Sequence, residues 1–111
     1  MINQRGQHIP LSDALTAQPV PGELAAALAK RDDVDIEFYS PHLMDLQQPH
    51  ERNELYVIAR GTGVLAVDDD QFPFKTGDVL FVPAFAEHHF LKFSTDFATW
   101  VMFIGPAVAR S

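Results

Sequence analysis

Gln48-Pro49-His50-Glu51-Arg52-Asn53-Glu54-Leu55-Tyr56-Val57-Ile58-Ala59-Arg60-Gly61 is the stretch on which the reading of this chain turns. Its first half carries side chains able to hold a metal ion. Its second half is an apolar run with strand character, closed by a glycine. Residues two apart in a strand share a face. An extended segment would therefore turn Gln48, His50, Arg52, Glu54, Tyr56 and Ile58 to one side. An imidazole and a carboxylate on one face, backed by bulky apolar side chains, make half of a metal site. His88 is the best candidate for the other half.

Outward from this stretch, the chain reads as short strands. From Asp33 the period is two: Val34, Ile36 and Phe38 alternate with Asp35, Glu37 and Tyr39, the mark of a half-buried strand. Further strands are expected over residues 55–59, 64–67, 71–75, 79–82 (short and buried), 88–93 and 97–104, with turns at Gly61-Thr62-Gly63, Thr76-Gly77-Asp78 and Ser94-Thr95-Asp96. Asp68-Asp69-Asp70 is expected to be a solvated hairpin tip, since three adjacent carboxylates repel and the spaced ligands of a calcium loop are missing. Seven or eight short strands at this spacing describe an all-β sandwich or small barrel.

Ahead of the strands, residues 1–20 read as a polar, Pro-punctuated arm in which Ser12 to Thr16 makes one helical turn. A clearer helix is expected from Pro21 to Lys30 or Arg31. Proline suits its first position, Glu23 its first turn and Lys30-Arg31 its last, while Leu24, Leu28 and the alanines form an apolar stripe. The predicted division is an N-terminal arm and helix over residues 1–32 and a β domain over residues 33–111, one structural domain in total. Residues 55–59 and 97–104 are apolar on both faces. That second apolar face calls for helix cover or a homodimer interface.

The bulk composition narrows the chemistry. A chain of 111 residues that is 47% hydrophobic builds one small core. Cysteine is absent, so disulfides and thiolate sites are excluded and a metal must take nitrogen and oxygen ligands. The formal net charge is -7 and the longest basic run is Lys30-Arg31, which disfavours nucleic acid and anionic membranes as partners. No apolar run approaches the roughly 20 residues of a membrane span. Residues 1–8 carry no apolar export segment, so the expected location is cytoplasmic.

The spacing around the opening stretch resembles the cupin family. His50, three residues, Glu54, six residues, Gly61 is similar to the first cupin motif, and Gly77, five residues, Pro83, four residues, His88 is similar to the second. The likeness runs from Tyr39 to Gly105. It implies a double-stranded β-helix, a small jelly-roll barrel, whose mouth gathers His50, Glu54 and His88 around a divalent transition metal: Fe, Mn, Zn, Ni or Co. The chain departs from the family pattern in three places. Gln48 stands where the first motif has its leading histidine, and three readings are open to it: ligation through its amide oxygen, substrate binding, or neither. Phe85 replaces the glycine of the second motif, and Lys92 its trailing asparagine. His42 is a further imidazole that a neighbouring segment could bring to the site.

Each ligand candidate also has a plain structural reading. His50 would be an exposed loop residue, Glu54 a partner of Arg52 or Arg60, and His88 a turn residue bonded to a backbone carbonyl. His89 has the opposite parity to His88 and should face outward. The substrate pocket is expected to hold Gln48, Tyr56, Ile58, Phe90 and Met102, while Phe81 and Trp100 read as barrel core. Glu54 and Tyr56 are the candidates for moving protons. The resemblance implies a metal-dependent enzyme acting on a small polar metabolite, of dioxygenase or isomerase type. A non-catalytic module that binds or senses a small ligand is the alternative.

Overall fold

The computed structural model describes residues 5–42 and 44–109. Residues 1–4 of the expected arm, with their part of the reading for an export signal, lie outside the described residues. A short helix, α1 (Leu11–Thr16), precedes eight strands: β1 (Ala26–Arg31), β2 (Val34–Tyr39), β3 (Asn53–Arg60), β4 (Thr62–Val67), β5 (Asp70–Lys75), β6 (Val79–Val82), β7 (His88–Leu91) and β8 (Ala98–Ile104). They form a five-stranded sheet, β1-β2-β8-β3-β6, and a three-stranded sheet, β5-β4-β7. All pairings are antiparallel. The sheets face each other as in a jelly roll without being hydrogen-bonded into a closed ring.

The core fills the space between the sheets. β3 alternates strictly, with Glu54, Tyr56 and Ile58 buried and Leu55, Val57 and Ala59 on the other face. Tyr39, Tyr56, Ile58, Val82 and Val101 from the larger sheet meet Leu65, Val67, Phe74 and Phe90 from the smaller one, with Phe97 joining them. Phe90 sits edge-on to both Tyr56 and Phe74. Full burial of such a ring stabilises the fold by about 2–3 kcal/mol. At the other end of the β4–β5 hairpin, Val67 pairs with Asp70 and leaves Asp68-Asp69 as the expected exposed tip.

The helix expected from Pro21 is not formed. Pro21 and Gly22 make a turn, and Ala26–Arg31 becomes strand β1, paired antiparallel with β2 from Ala26↔Phe38 to Arg31↔Val34. Alanine fits either state, so the ladder offered by β2 outweighs the local preference. The helical turn read at Ser12–Thr16 is present as α1. Its Ala14 packs with Phe38 and Ala98 on the outer face of the larger sheet, where Trp100 meets Phe38 edge-on. Helix cover is thus realised over this part of the second apolar face. The reading of β6 as a buried strand, and of Phe81 as core, is corrected: β6 is the edge of its sheet, and Val79 and Phe81 are exposed.

Gly61, the glycine that closes the opening stretch, has φ +95°, and a Cβ there would lie 2.7 Å from the Phe97 backbone Cα. Both the conformation and the space require glycine. Gly61→Ala is expected to cost about 3 kcal/mol and to lower the melting temperature by roughly 10 °C or more. A loss below about 1 kcal/mol in thermal or denaturant unfolding would contradict this account.

Candidate metal centre

Glu54 projects inward from β3 with its side chain 1% exposed. β3 starts only at Asn53, so the strand parity that would align residues 48–58 holds for Glu54, Tyr56 and Ile58 but not for the residues before them. Pro49 and the bend at Glu51-Arg52 lie outside the strand. Arg52 instead turns to Asp35, at 2.8 Å, and donates to the Gly105 and Phe103 carbonyls. Arg60 donates to the Asp96 carbonyl. Neither arginine is paired with Glu54.

His50 arrives from the strap that links β2 to β3. Its carbonyl accepts from the Phe85 N–H at 2.6 Å. Phe85 has φ +70°, so the left-handed turn that the motif's glycine would make is kept by a phenylalanine, at a cost on the order of 1 kcal/mol. His88 opens β7, opposite Val67 of β4. Its Nδ1 meets the Ala86 carbonyl at 2.9 Å, which is the bond foreseen in its plain structural reading. The same bond fixes the ring and turns Nε2 inward, as the outer partners of metal-binding imidazoles do.

The three side chains converge. His88 Nε2 lies 3.0 Å and His50 Nε2 3.9 Å from Glu54 Oε1, and one ligand atom from each residue lies within 4.8 Å of the other two. Among the described residues, Glu54 Oε1, Glu54 Oε2 and His88 Nε2 are buried without a hydrogen-bond partner. Buried polar atoms normally have partners. Three orphans pointing at one another suit a cation, and two imidazoles with one carboxylate are a donor set for Zn, Fe, Mn, Co or Ni.

The surroundings push the pKa values of the two imidazoles in opposite directions. Burial lowers the His50 pKa, and the neighbouring Glu54 carboxylate only partly offsets it. Burial acts the same way on His88, but Glu54 and the Ala86 carbonyl outweigh it and raise the pKa.

Gln48, the residue in the place of the leading histidine, is exposed at the edge of a cleft. The buried glutamine is its neighbour Gln47, which no motif position marks. Gln47 Nε2 donates to Asp45 at 2.9 Å, and Gln47 Oε1 accepts from the Tyr56 hydroxyl at 2.9 Å. Asp45 also accepts from the Tyr39 hydroxyl, the Gln47 N–H and the Phe90 N–H. One carboxylate thereby ties the strap to β2 and β7. The only hint in the sequence was an acidic residue inside a Pro-bracketed loop.

Tyr56 is fully buried, and burial followed by the Glu54 charge holds its hydroxyl well above the ordinary tyrosine range. It keeps its proton and acts as a hydrogen-bond donor to Gln47. Ile58 and Phe90 belong to the core between the sheets. Met102 lies on the opposite face of the sheet, in a groove with Ile36, Val57 and Trp100. Inward parity on β8 belongs to Val101 and Phe103, which line the cleft beside His50. His42 is exposed and stands apart from the triad. His89 is outward, 4.0 Å from Glu87.

The cleft at His50 has a volume of about 280 Å³ and is bounded by the turn Gly22–Ala25, Glu37, Tyr39, the two glutamines, Val101 and Phe103. Burial, then the charges of Glu23, Asp35 and Glu54, raise the pKa of Glu37. Residues 22–25, which match no motif, form one wall.

Residues 37–104 match the model of the cupin domain family. An uncharacterized protein of Streptomyces coelicolor is 32% identical over 62 residues, covering 56% of this chain and 59% of that protein; the chain thus spans about three fifths of the length of the curated relative it matches. Among solved structures, a cupin superfamily protein of Desulfitobacterium hafniense is 24% identical with a TM-score of 0.66, covering 96% of this chain and 99% of that one. A protein of unknown function from Rhizobium leguminosarum is 12% identical with a TM-score of 0.73, covering 93% and 100%. A cupin-2 domain protein of Shewanella frigidimarina is 16% identical with a TM-score of 0.65, covering 86% and 93%. At these identities the solved structures speak for the fold alone.

Two outcomes are expected. Asp45→Ala leaves the Phe90 N–H and the Tyr39 hydroxyl without their acceptor and should cost about 3 kcal/mol in denaturant unfolding; a change within about 0.5 kcal/mol would refute its role as the clip. The second concerns pH. The raised His88 pKa stabilises metal-free protein fully below the ordinary value of 6.5, and this contribution is lost as pH rises through the raised value. The depressed His50 works in the opposite sense, its contribution being lost as pH falls through its own value. Zn²⁺ needs both imidazoles neutral, so its affinity should weaken as pH falls. Unfolding midpoints of EDTA-treated wild type and His88→Gln, measured across pH, should diverge most at the acid end. Parallel curves would count against the assignment.

Proposed function

The chain belongs to the cupin domain family, and on that premise we propose that it binds a divalent transition metal through His50, Glu54 and His88 and acts on a small polar metabolite, as a dioxygenase or isomerase type of enzyme. The observation that carries this reading is the set of orphaned buried atoms, Glu54 Oε1 and Oε2 and His88 Nε2, gathered beside His50. A metal held there would supply Lewis-acid polarisation of a carbonyl or carboxylate oxygen. The protein's own part is positioning. Ala86 aims the His88 ring, and the Phe85 N–H holds the His50 backbone. Asp45 and Gln47 hold the strap and the Tyr56 hydroxyl. Tyr39, Val101 and Phe103 make the cleft wall largely apolar, which keeps water sparse around a bound ligand.

Gln48 stands at the cleft edge as a contact for that ligand. Of the two candidate proton carriers, Glu54 has free lone pairs at the site, while Tyr56 serves as a fixed donor. A second reading, a non-catalytic module that binds or senses a small ligand, is favoured by the exposed Gln48: among the described residues no fourth His, Cys, Asp or Glu joins the cluster in place of the missing imidazole. The uncovered part of the outer sheet face, with Leu55, Val57 and Met102, and the exposed Val79 and Phe81 on β6 are the surface proposed for a homodimer. No helix among the described residues is long and apolar enough to cross a membrane. Together with the acidic balance of the sequence, this supports a cytoplasmic protein without nucleic-acid partners, and residues 1–32 and 33–111 are taken as one structural domain.

Elemental analysis of untagged protein tests the centre. About one transition metal ion per chain is expected in wild type, with loss of most of it in His88→Ala and Glu54→Gln. A folded wild type that carries no metal and gains no thermal stability on addition of Zn²⁺, Fe²⁺ or Mn²⁺ would overturn the reading. Ligand binding that survives EDTA would favour the non-catalytic module over the enzyme.

A further inference from the structure

Two facts about Glu54 pull against each other. Glu54 and Tyr56 stand two apart on β3, both turned inward and both almost fully buried. Glu54 is near enough to the Tyr56 hydroxyl to act on it by charge and to serve it as a second acceptor. A hydroxyl bonded to a carboxylate is held roughly twice as strongly as one bonded to a neutral amide. Left to itself, the Tyr56 hydroxyl would turn to Glu54. Instead it donates to Gln47 Oε1 at 2.9 Å, and both Glu54 oxygens stay without a hydrogen bond.

The cause lies in Asp45. Its Oδ1 accepts from the Tyr39 hydroxyl and the Gln47 N–H, and its Oδ2 accepts from Gln47 Nε2 and the Phe90 N–H. An ionised carboxylate has about four acceptor sites and nothing to donate, so these donors fill it. The Gln47 side chain can meet Asp45 only through Nε2, and that aims Oε1 the other way, at Tyr56. The single hydroxyl proton then has a partner that is not Glu54. Donor-to-acceptor direction is thus set by Asp45, passed on by Gln47 and ends at Tyr56, beside the carboxylate of the centre. A donor placed on Glu54 would stabilise the metal-free state and draw charge from the oxygens that a cation needs.

We propose that Gln47 is a positioning residue for the metal centre: oriented by Asp45, it holds the Tyr56 proton off Glu54 and so leaves both carboxylate oxygens open to a cation. This deepens, and rests on, the reading of His50, Glu54 and His88 as a metal site. Gln47 acts through Tyr56 and not as a ligand.

The test uses the full chain carrying Gln47→Met, with and without Tyr56→Phe. Zn²⁺ affinity is read by competition with a chelating dye, and melting temperature is read on EDTA-treated protein. Gln47→Met keeps the volume and removes the amide acceptor. The hydroxyl then turns to Glu54, and Zn²⁺ affinity should fall about tenfold. Adding Tyr56→Phe removes the proton and should recover most of that loss. In the metal-free protein the same second substitution works in the opposite sense: it takes a hydrogen bond from a buried carboxylate and should lower the melting temperature by roughly 4 °C or more. A strap merely loosened under His50 would also bind Zn²⁺ less well, but deleting a hydroxyl would not restore it. Asp45→Asn is a second route should Gln47→Met not fold. Its amide lets Gln47 flip and present Nε2 to Tyr56, so the same loss and the same recovery with Tyr56→Phe are expected. Zn²⁺ affinity equal to wild type in the variants that lack or flip the acceptor, or no recovery on adding Tyr56→Phe, overturns the proposal and leaves the metal reading standing. A wild type that takes up no Zn²⁺ overturns the metal reading, and the metal-free melting temperatures then decide the hydroxyl's partner by themselves: the drop supports its turn to Glu54, and its absence refutes it.

Discussion

A carboxylate buried without a hydrogen-bond partner is the constraint around which this fold is arranged. Glu54 sits at the start of β3, flanked by β8 and β6, with an apolar core beneath it. Desolvating such a group is expensive unless positive charge or donors are supplied. The protein supplies two imidazole edges and sends its nearby guanidinium elsewhere, to Asp35. Had Arg52 followed the strand inward, it would have neutralised Glu54 and closed the site. The bend at Glu51-Arg52 is therefore as important to the chemistry as the ligands themselves.

Rigidity at the centre is borrowed from three unrelated segments. His50 lies on a strap with no secondary structure of its own, and such segments are usually the mobile parts of a domain. Here the strap is tied at both ends of its functional portion. Asp45 gathers donors from Tyr39, Gln47 and Phe90, and the Phe85 N–H clamps the carbonyl of His50 itself. Through Gln47 the same tie reaches the Tyr56 hydroxyl in the core. Packing of the aromatic cluster, orientation of the strap and geometry of the metal ligands are thus one connected system. The two faces of the larger sheet divide the remaining work. The inner face carries the centre and its acidic mouth, and part of the outer face is covered by α1.

Much of this was legible in the residues. The alternation at Val34 to Tyr39 and the apolar runs near Leu55 and Phe97 report a pleated surface with one or both faces covered, and the strands stand where those patterns lie. The pairing of His50 with Glu54, and their separation from His88, were legible through motif spacing. The misreadings have physical causes. Residues 21–31 favour a helix locally, but β2 offers an unpaired edge, and ladder hydrogen bonds override the small preference of alanine. Phe81 and Met102 were misplaced because an apolar residue on a strand is buried only if something covers its face. Strand parity names two faces without saying which is inside. Gln47 was missed in favour of Gln48 because the strap is not a strand, so counting by twos from Glu54 fails before Asn53.

The sequence by itself determined the chemistry available: nitrogen and oxygen ligands only, an acidic balance of charge, short amphipathic strands, and a glycine closing the opening stretch. These depend on composition and local period, which no folding can alter. Only the tertiary structure decided which of those groups meet. The closeness of Glu54 to His88, the diversion of Arg52 to Asp35 and the clip from Asp45 to Phe90 are all contacts between residues distant in the chain. Such contacts arise from sheet register and loop path, and both are set by the packing of the whole core.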